Sequence, residues 1–352
     1  MSKIFRDSGP PNHANSASIA GTPLPPIVSL NQLDSLGLSR NLIRRENFQR
    51  VAPCIYRDTT RTVNEFDVLL ALQNQFPASV ATKLSALRLW GVPLPPHLET
   101  WDENKQVDLS APLKRRGHTH PLIRWDRTQL LDSDIETIRT PGGNLRIASR
   151  PRAVLASVPD LSFYQLIAAI DALLRIPRRR FEGRSAPYAT REGLEIFLAE
   201  HPSWNFVAHF RAALAWARVG ADSPMETLLR LLIAMAGFPE PRLNQRLLAP
   251  DGRSLGQPDM LFEEQRIIVE YDGAPHRAAS QQVKDRQRRE LRTSYGWIEL
   301  QVFHPDLHLP RRLVRMMFNP GKPVLPRITS GEVPATARLA EAFRQRGWRV
   351  RE

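Results

Sequence analysis

The sequence predicts a mixed α/β protein of more than one domain, and three observations carry that expectation. With 352 residues and 42% hydrophobic content, the chain is longer than one ordinary core accommodates and apolar enough to bury more than one. Segments with apolar residues at helical spacing alternate with short β-branched and aromatic runs. Between Gln257 and His276, the apolar runs Met260–Phe262 and Ile267–Val269 flank Glu263-Glu-Gln-Arg266, a stretch with the length and composition of a hairpin loop.

Residues 1–26 are rich in Pro, Ser, Asn and Ala, so burial cannot offset the entropy of ordering and a disordered tail is expected. Residues 27–62 carry a short helix at Leu30–Leu36, a break at Gly37, an N-cap at Ser39 and a second helix bearing Arg40, Arg44 and Arg45. Strands at Phe48–Val51 and Cys54–Arg57 follow, and two helices on a tight turn with a strand pair behind them predict a winged helix-turn-helix. Arg40, Arg44 and Arg45 suit phosphate contact, while a solvated basic face explains them equally well.

Residues 63–180 read as a mixed α/β region. Helices are expected at Asn64–Phe76, Ser79–Trp90, after Pro151 and at Leu161–Arg175, with strands at Val107–Ser110, Thr119–Trp125 and Asp134–Arg139. His118 and His120 share a strand face and, with no Cys or acid partner, read as surface histidines. Ile176-Pro-Arg178-Arg-Arg-Phe181 reads as a solvated boundary or a backbone contact. Residues 181–222 form a helical connector with helices at Tyr188–His201 and Asn205–Val219.

Ser223, Pro224 and Glu226 spell a capping box, which accounts for Glu226 by local structure alone. Leu243–Leu248 is the expected first core strand, and Asp251-Gly252 turns the chain toward the hairpin. Pairing Phe262 with Ile267 then sets Asp259 opposite Glu270 and Gln257 opposite Asp272, with Asp259, Glu270 and Asp272 on one face. Opposed side chains lie roughly 4.5–5.5 Å apart at Cβ, and like charges there repel, so a cation is expected between them. Carboxylate oxygens suit a hard divalent ion, and a solvated acidic strand end is the plainer alternative. A helix at Ala279–Ser294 bears Lys284, Arg286, Arg288, Arg289 and Arg292. Gly296 ends it, Trp297–Phe303 is a buried strand and Leu309–Phe318 a closing helix. Residues 319–352 are Pro-rich coil and a helix from Thr336.

Pro258-Asp259, then Glu270-Tyr-Asp272-Gly273, His276, the Lys284-Asp-Arg-Gln-Arg288 stretch and Gly296-Trp297 resemble the very-short-patch-repair-like branch of the PD-(D/E)XK nuclease superfamily. The resemblance covers Ser223 to Asp306. It implies a restriction-endonuclease-like α-β-β-β-α-β core over 223–318, Mg²⁺ or Mn²⁺ at Asp259 and Glu270, and hydrolysis of DNA phosphodiester bonds. It also implies catalytic roles for Asp272, for His276 as general base or phosphate contact, and for Glu226 pointing at the metal. Asp272 stands where the common Glu-x-Lys pattern places lysine. Gly37-Leu-Ser39, Tyr56, Ser85-Ala86 and Asp171-Ala-Leu-Leu174 resemble abortive-infection-type antitoxin proteins with an N-terminal winged helix.

A net charge of +13 and a pI near 10.7, carried chiefly by arginine, favour a nucleic-acid partner. Lys284, Arg288 and Arg289 are the candidates for holding a phosphate backbone beside the acids. The single cysteine, Cys54, excludes an internal disulfide and a Cys-rich zinc site, which suits a reducing cytoplasm. No apolar run approaches the roughly 20 residues that span a bilayer, so no membrane partner is expected.

Together these readings give a metal-dependent DNA endonuclease of repair or of phage and mobile-element defence. The alternatives are a non-catalytic DNA-binding regulator or antitoxin-like protein with a degenerate nuclease fold, and an RNA-directed nuclease of a toxin-antitoxin pair. A partner protein encoded alongside belongs to that expectation, with no chemistry in the sequence that identifies it.

Overall fold

The computed structural model describes residues 18–19, 22–44, 47–110, 119–140, 143–178, 182–273, 279–319, 323 and 325–350. Arg45, His118, His276 and most of the expected N-terminal tail lie outside the described residues. The chain is mixed α and β, with helices and several small sheets, and it divides into two units interleaved in sequence. One comprises residues 1–81, 101–129 and 136–147, and the other residues 82–100, 130–135 and 148–352.

In the first unit, Ser29 caps the Leu30–Ser35 helix by accepting the Gln32 N–H at 3.1 Å. The stretch with Arg40 and Arg44 forms a 3₁₀ turn over Arg40–Arg44 instead of a second α-helix. Phe48–Ala52 and Ile55–Asp58 pair as antiparallel strands, and Ile27–Ser29, which sequence patterning left unassigned, adds a third on the far side of Ile55–Asp58. The Glu65–Gln75 helix starts from an Asn64/Asp67 capping box. The helix expected from Ser79 begins only at Lys83, because Val80 donates to Ser110 Oγ and Ala81 bridges to Leu109 and Ile147, holding that stretch extended.

In the second unit, Ser162 and Thr190 cap the Phe163–Leu174 and Arg191–Glu200 helices, and the Val207–Trp216 helix packs on the first of these. The Pro224–Met235 helix lies against the same Phe163–Leu174 core. Buried between them, Asp171 accepts from Thr227 Oγ1 at 2.8 Å and from Arg230 Nη2 at 3.3 Å.

A four-stranded sheet follows in the order Arg242–Leu243, Met260–Phe262, Ile267–Asp272, Ile298–Phe303. The first three strands pair antiparallel with one another. The last pairs parallel to Ile267–Asp272 after the Ala279–Ser294 helix. Hairpin pairs Met260–Val269, Leu261–Ile268 and Phe262–Ile267 have the register that the four-residue loop predicts. Leu261 and Ile268 face the Ala279–Ser294 side, in a cluster with Leu247, Leu255, Leu291 and Trp297. On the opposite face, Phe262 meets Phe343 of the Pro334–Gln345 helix at 5.2 Å between ring centroids.

The expected Leu243–Leu248 strand is broken. Only Arg242 and Leu243 join the main sheet, whereas Leu247–Leu248 pairs with Ser254–Gly256 as a separate ribbon. The break sits at Asn244, whose φ of 47° is a left-handed conformation that asparagine tolerates better than most residues.

Candidate active site: an acidic cluster at the hairpin end

The site is built where the hairpin ladder ends. Beyond the Met260–Val269 pair, Asp259 Oδ2 accepts the backbone N–H of Tyr271 at 2.7 Å, fastening the Asp259 carboxylate to the strand that carries Glu270. Along that strand Ile268, Glu270 and Asp272 alternate onto one face, and the parallel neighbour sets Glu299 beside Ile268 and Gln301 beside Glu270. Gln257 leaves the ladder, since its side-chain amide donates to the Asn244 carbonyl.

Glu226 enters from the Pro224–Met235 helix through Asn244. The Asn244 N–H donates to the Asp259 carbonyl at 3.0 Å, and its side-chain amide donates to Glu226 Oε2 at 3.0 Å and to the Gly220 carbonyl at 2.7 Å. Both Glu226 oxygens are engaged: Oε2 also accepts the Asp222 N–H at 2.9 Å, and Oε1 accepts from Ser223 Oγ at 2.9 Å. Ser223 caps the helix by accepting the Glu226 N–H, but the return bond of the expected capping box is replaced by the Asp222 N–H and the Ser223 hydroxyl, which hold the carboxylate at the edge of the acidic cluster.

Charge in this cluster is unevenly compensated. Burial raises the Asp259 carboxyl to about 8, and the charges of Glu226 and Glu270 push in the same direction. Burial also raises Glu226 and Glu270, with Arg292 opposing the shift at Glu270. Arg292, from the last turn of the Ala279–Ser294 helix, is 2% exposed and places Nη1 2.6 Å from Glu270 Oε1 and 2.9 Å from Glu299 Oε2. Its Nε donates to the Leu255 carbonyl at 2.8 Å. No comparable cation reaches Asp259 or Glu226 among the described residues.

The protein thus supplies a cation to Glu270 and Glu299. Patterning placed Arg292 on the basic helix but gave it no role. Its signal was helical spacing: Arg288 and Arg292 are four apart, and both lie against Gly256, where an added Cβ would come within 2.9 Å of Arg288 and 3.1 Å of Arg292.

Compared with known proteins, the chain matches no family model, no curated protein and no solved structure.

Among the described residues, no set of three or more His, Cys, Asp or Glu is gathered as a metal site. The Glu270 charge acts on the Asp259 carboxyl, and Asp259 Oδ1 has no hydrogen-bond partner among the described residues. That donor chemistry fits a hard divalent cation that takes two carboxylates and keeps waters on its other positions. Glu226, with both oxygens satisfied, fits as a flanking charge and not as a ligand. Asp272 continues the Glu270 face at the strand end.

The basic candidates divide. Arg40 pairs with Asp34 through Nε at 3.0 Å and Nη2 at 2.6 Å. Arg288 pairs loosely with Asp285 at 3.4 Å, and Arg289 reaches Glu299 at 3.4 Å from the acid-facing side of its helix. Lys284 stands exposed on the same helix. No helix among the described residues is long and apolar enough to cross a membrane.

Proposed function

We propose that this protein is a metal-dependent endonuclease acting on DNA, with Asp259 and Glu270 as the residues that would hold Mg²⁺ or Mn²⁺. The observation that carries the reading is the Asp259–Glu270 juxtaposition, in which a buried carboxylate without a cationic partner sits beside a second one. Such an arrangement costs stability unless a cation joins it, and natural chains keep costly buried charge where it serves chemistry. The order of elements supports the same reading: a helix bearing Glu226, three antiparallel strands, a basic helix and a parallel strand, with the acids at one sheet end.

A bound divalent ion would supply Lewis-acid stabilisation of the phosphate and a more acidic water. The chain's own residues do the remainder. The Tyr271 N–H fixes the Asp259 carboxylate. Arg292 holds Glu270 in place and supplies permanent positive charge beside it. Lys284, Arg288 and Arg289 line the helix that would meet the phosphate backbone. His276, just past the strand, is assigned to proton transfer or phosphate contact. The net charge of +13 suits a polyanionic substrate.

A second reading, a DNA-binding regulator that does not cut, is favoured by one observation. Arg292 already pairs with Glu270 and Glu299, so part of the acidic charge is balanced without metal. The deciding experiment incubates the protein with supercoiled, linear, mismatched and single-stranded DNA and with RNA, in Mg²⁺, Mn²⁺ or EDTA. Cleavage that requires metal supports the nuclease. Binding without cleavage in every condition supports the regulator.

A further inference from the structure

We infer that Arg178 is the residue that seats a nucleic-acid phosphate beside the acidic cluster, an inference that rests on the nucleic-acid reading above. In the sequence, Arg178 belongs to a charge run that looks like a solvated boundary. In the structure it is docked on the site. Its Nη2 bonds to the Asp222 carboxylate and donates to Asn244 Oδ1 at 3.0 Å. Asn244 is the residue that ties Glu226 to the Asp259 backbone, and the Asp222 charge is itself felt at Asp259. Two separate routes therefore place this guanidinium at the rim of the acids.

The neighbouring arginines are already engaged. Arg175 commits Nη1 and Nη2 to Glu182 at 2.7 and 2.5 Å and reaches Asp222 at 3.4 Å. Arg184 gives Nη1 to the carbonyls of Arg175 and Ala186, lies 3.3 Å from Glu182, and stacks on Tyr188 with its guanidinium 4.0 Å from the ring centroid. Arg292 is buried. Arg178 differs: its side chain is 43% exposed, and among the described residues its Nε and Nη1 have no partner. Nη2 is held by the site, while the Nε–H and Nη1–H groups remain as separate donors, each able to make a charge-assisted hydrogen bond to a phosphate oxygen.

The need for such a group follows from charge. A phosphodiester approaching Asp222, Glu226, Asp259 and Glu270 meets a group of carboxyls that Arg292 balances only at Glu270, and a cation on the approach side offsets the remaining repulsion. Anchoring on Asp222 and Asn244 also lowers the entropy lost when the guanidinium is fixed by substrate.

The test measures affinity of the full chain for a short duplex DNA in EDTA across a salt series, for wild type, Arg178→Ala, Arg178→Gln, Arg178→Lys and, as a control losing the same charge elsewhere, Arg344→Ala. Arg178→Gln keeps a donor toward Asn244 and guards against loss of local structure, which thermal midpoints of all variants check. The expected result is about 5- to 10-fold weaker binding and a salt slope smaller by about 1 for Arg178→Ala and Arg178→Gln. Arg178→Lys should keep most of the slope, and Arg344→Ala should bind within about twofold of wild type. In Mg²⁺, Arg178→Gln should raise KM more than it lowers kcat. Wild-type affinity and slope in Arg178→Gln, in a protein that cleaves, overturn the assignment of Arg178 and leave the nuclease standing. Loss of affinity in a protein that never cleaves supports Arg178 as the phosphate seat and removes the nuclease reading. No binding by wild type to any nucleic acid overturns both.

Discussion

Arg292 Nη1 lies 2.6 Å from Glu270 Oε1, joining the basic helix to the acid-bearing strand inside the protein. The same nitrogen holds Glu299, whose side chain is only 6% exposed. Removing the guanidinium strands two acids, so Arg292→Met should lower the unfolding free energy by about 3–5 kcal/mol, measured by urea unfolding near neutral pH. Glu270→Gln leaves Glu299 to pair with Arg292 and should cost only about 1 kcal/mol. Equal losses in the two variants would show that Arg292 does not carry this balance.

Asp259 makes stability depend on pH in a direction opposite to that of an ordinary salt-bridged acid. Its carboxyl is raised from 3.8 to about 8, so between those values the folded chain binds the proton that the unfolded chain has released. Stability is therefore full below about pH 4 as far as this group is concerned, falls as pH rises, and reaches its low level above about pH 8. Thermal midpoints measured without metal should show that decline in wild type and a flatter profile in Asp259→Asn. A wild-type profile that rises over the same window would contradict the assignment.

Ser223 accepts the Glu226 N–H at 3.2 Å and donates to its carboxylate at 2.9 Å. Ser223→Ala should cost about 1 kcal/mol through the lost cap. It also frees Glu226 Oε1, so metal affinity, read by calorimetry, should change in Ser223→Ala if Glu226 can then turn toward the ion. An unchanged affinity keeps Glu226 as a flanking charge only.

Much of this arrangement was legible because it is local. The hairpin register followed from a polar loop between two apolar runs, and Ser223-Pro-Met-Glu226 announced its helix start. What escaped depends on contacts distant in sequence. Composition alone does not separate Arg292 from Arg286 six residues earlier, yet one is buried between two acids and the other pairs on the surface with Glu290. The strand break at Asn244 was invisible because a single left-handed residue leaves the apolar pattern intact. Arg178 looked like a solvated charge because its partners, Asp222 and Asn244, lie 44 and 66 residues further along the chain.

On the basic helix, Lys284, Arg288 and Arg289 changed together to Ala should weaken duplex binding and reduce the salt slope by about 2–3, following the release of counterions from as many phosphates. Arg40, already paired with Asp34 and 59% exposed, should contribute less when replaced alone. Binding isotherms between roughly 50 and 200 mM salt separate the two surfaces.

On the nuclease reading, the Asp259–Glu270 pair takes a divalent cation and uses it to cut nucleic acid. The most direct measurement is cleavage of supercoiled plasmid by wild type and Asp259→Asn in Mg²⁺, Mn²⁺ and EDTA, with the thermal midpoint of each protein recorded in the same buffers. The expected result is cutting by wild type in either metal and none in EDTA, no cutting by Asp259→Asn, and a metal-induced rise in thermal midpoint confined to wild type. Identical thermal midpoints with and without metal, together with intact plasmid in every condition, would contradict it.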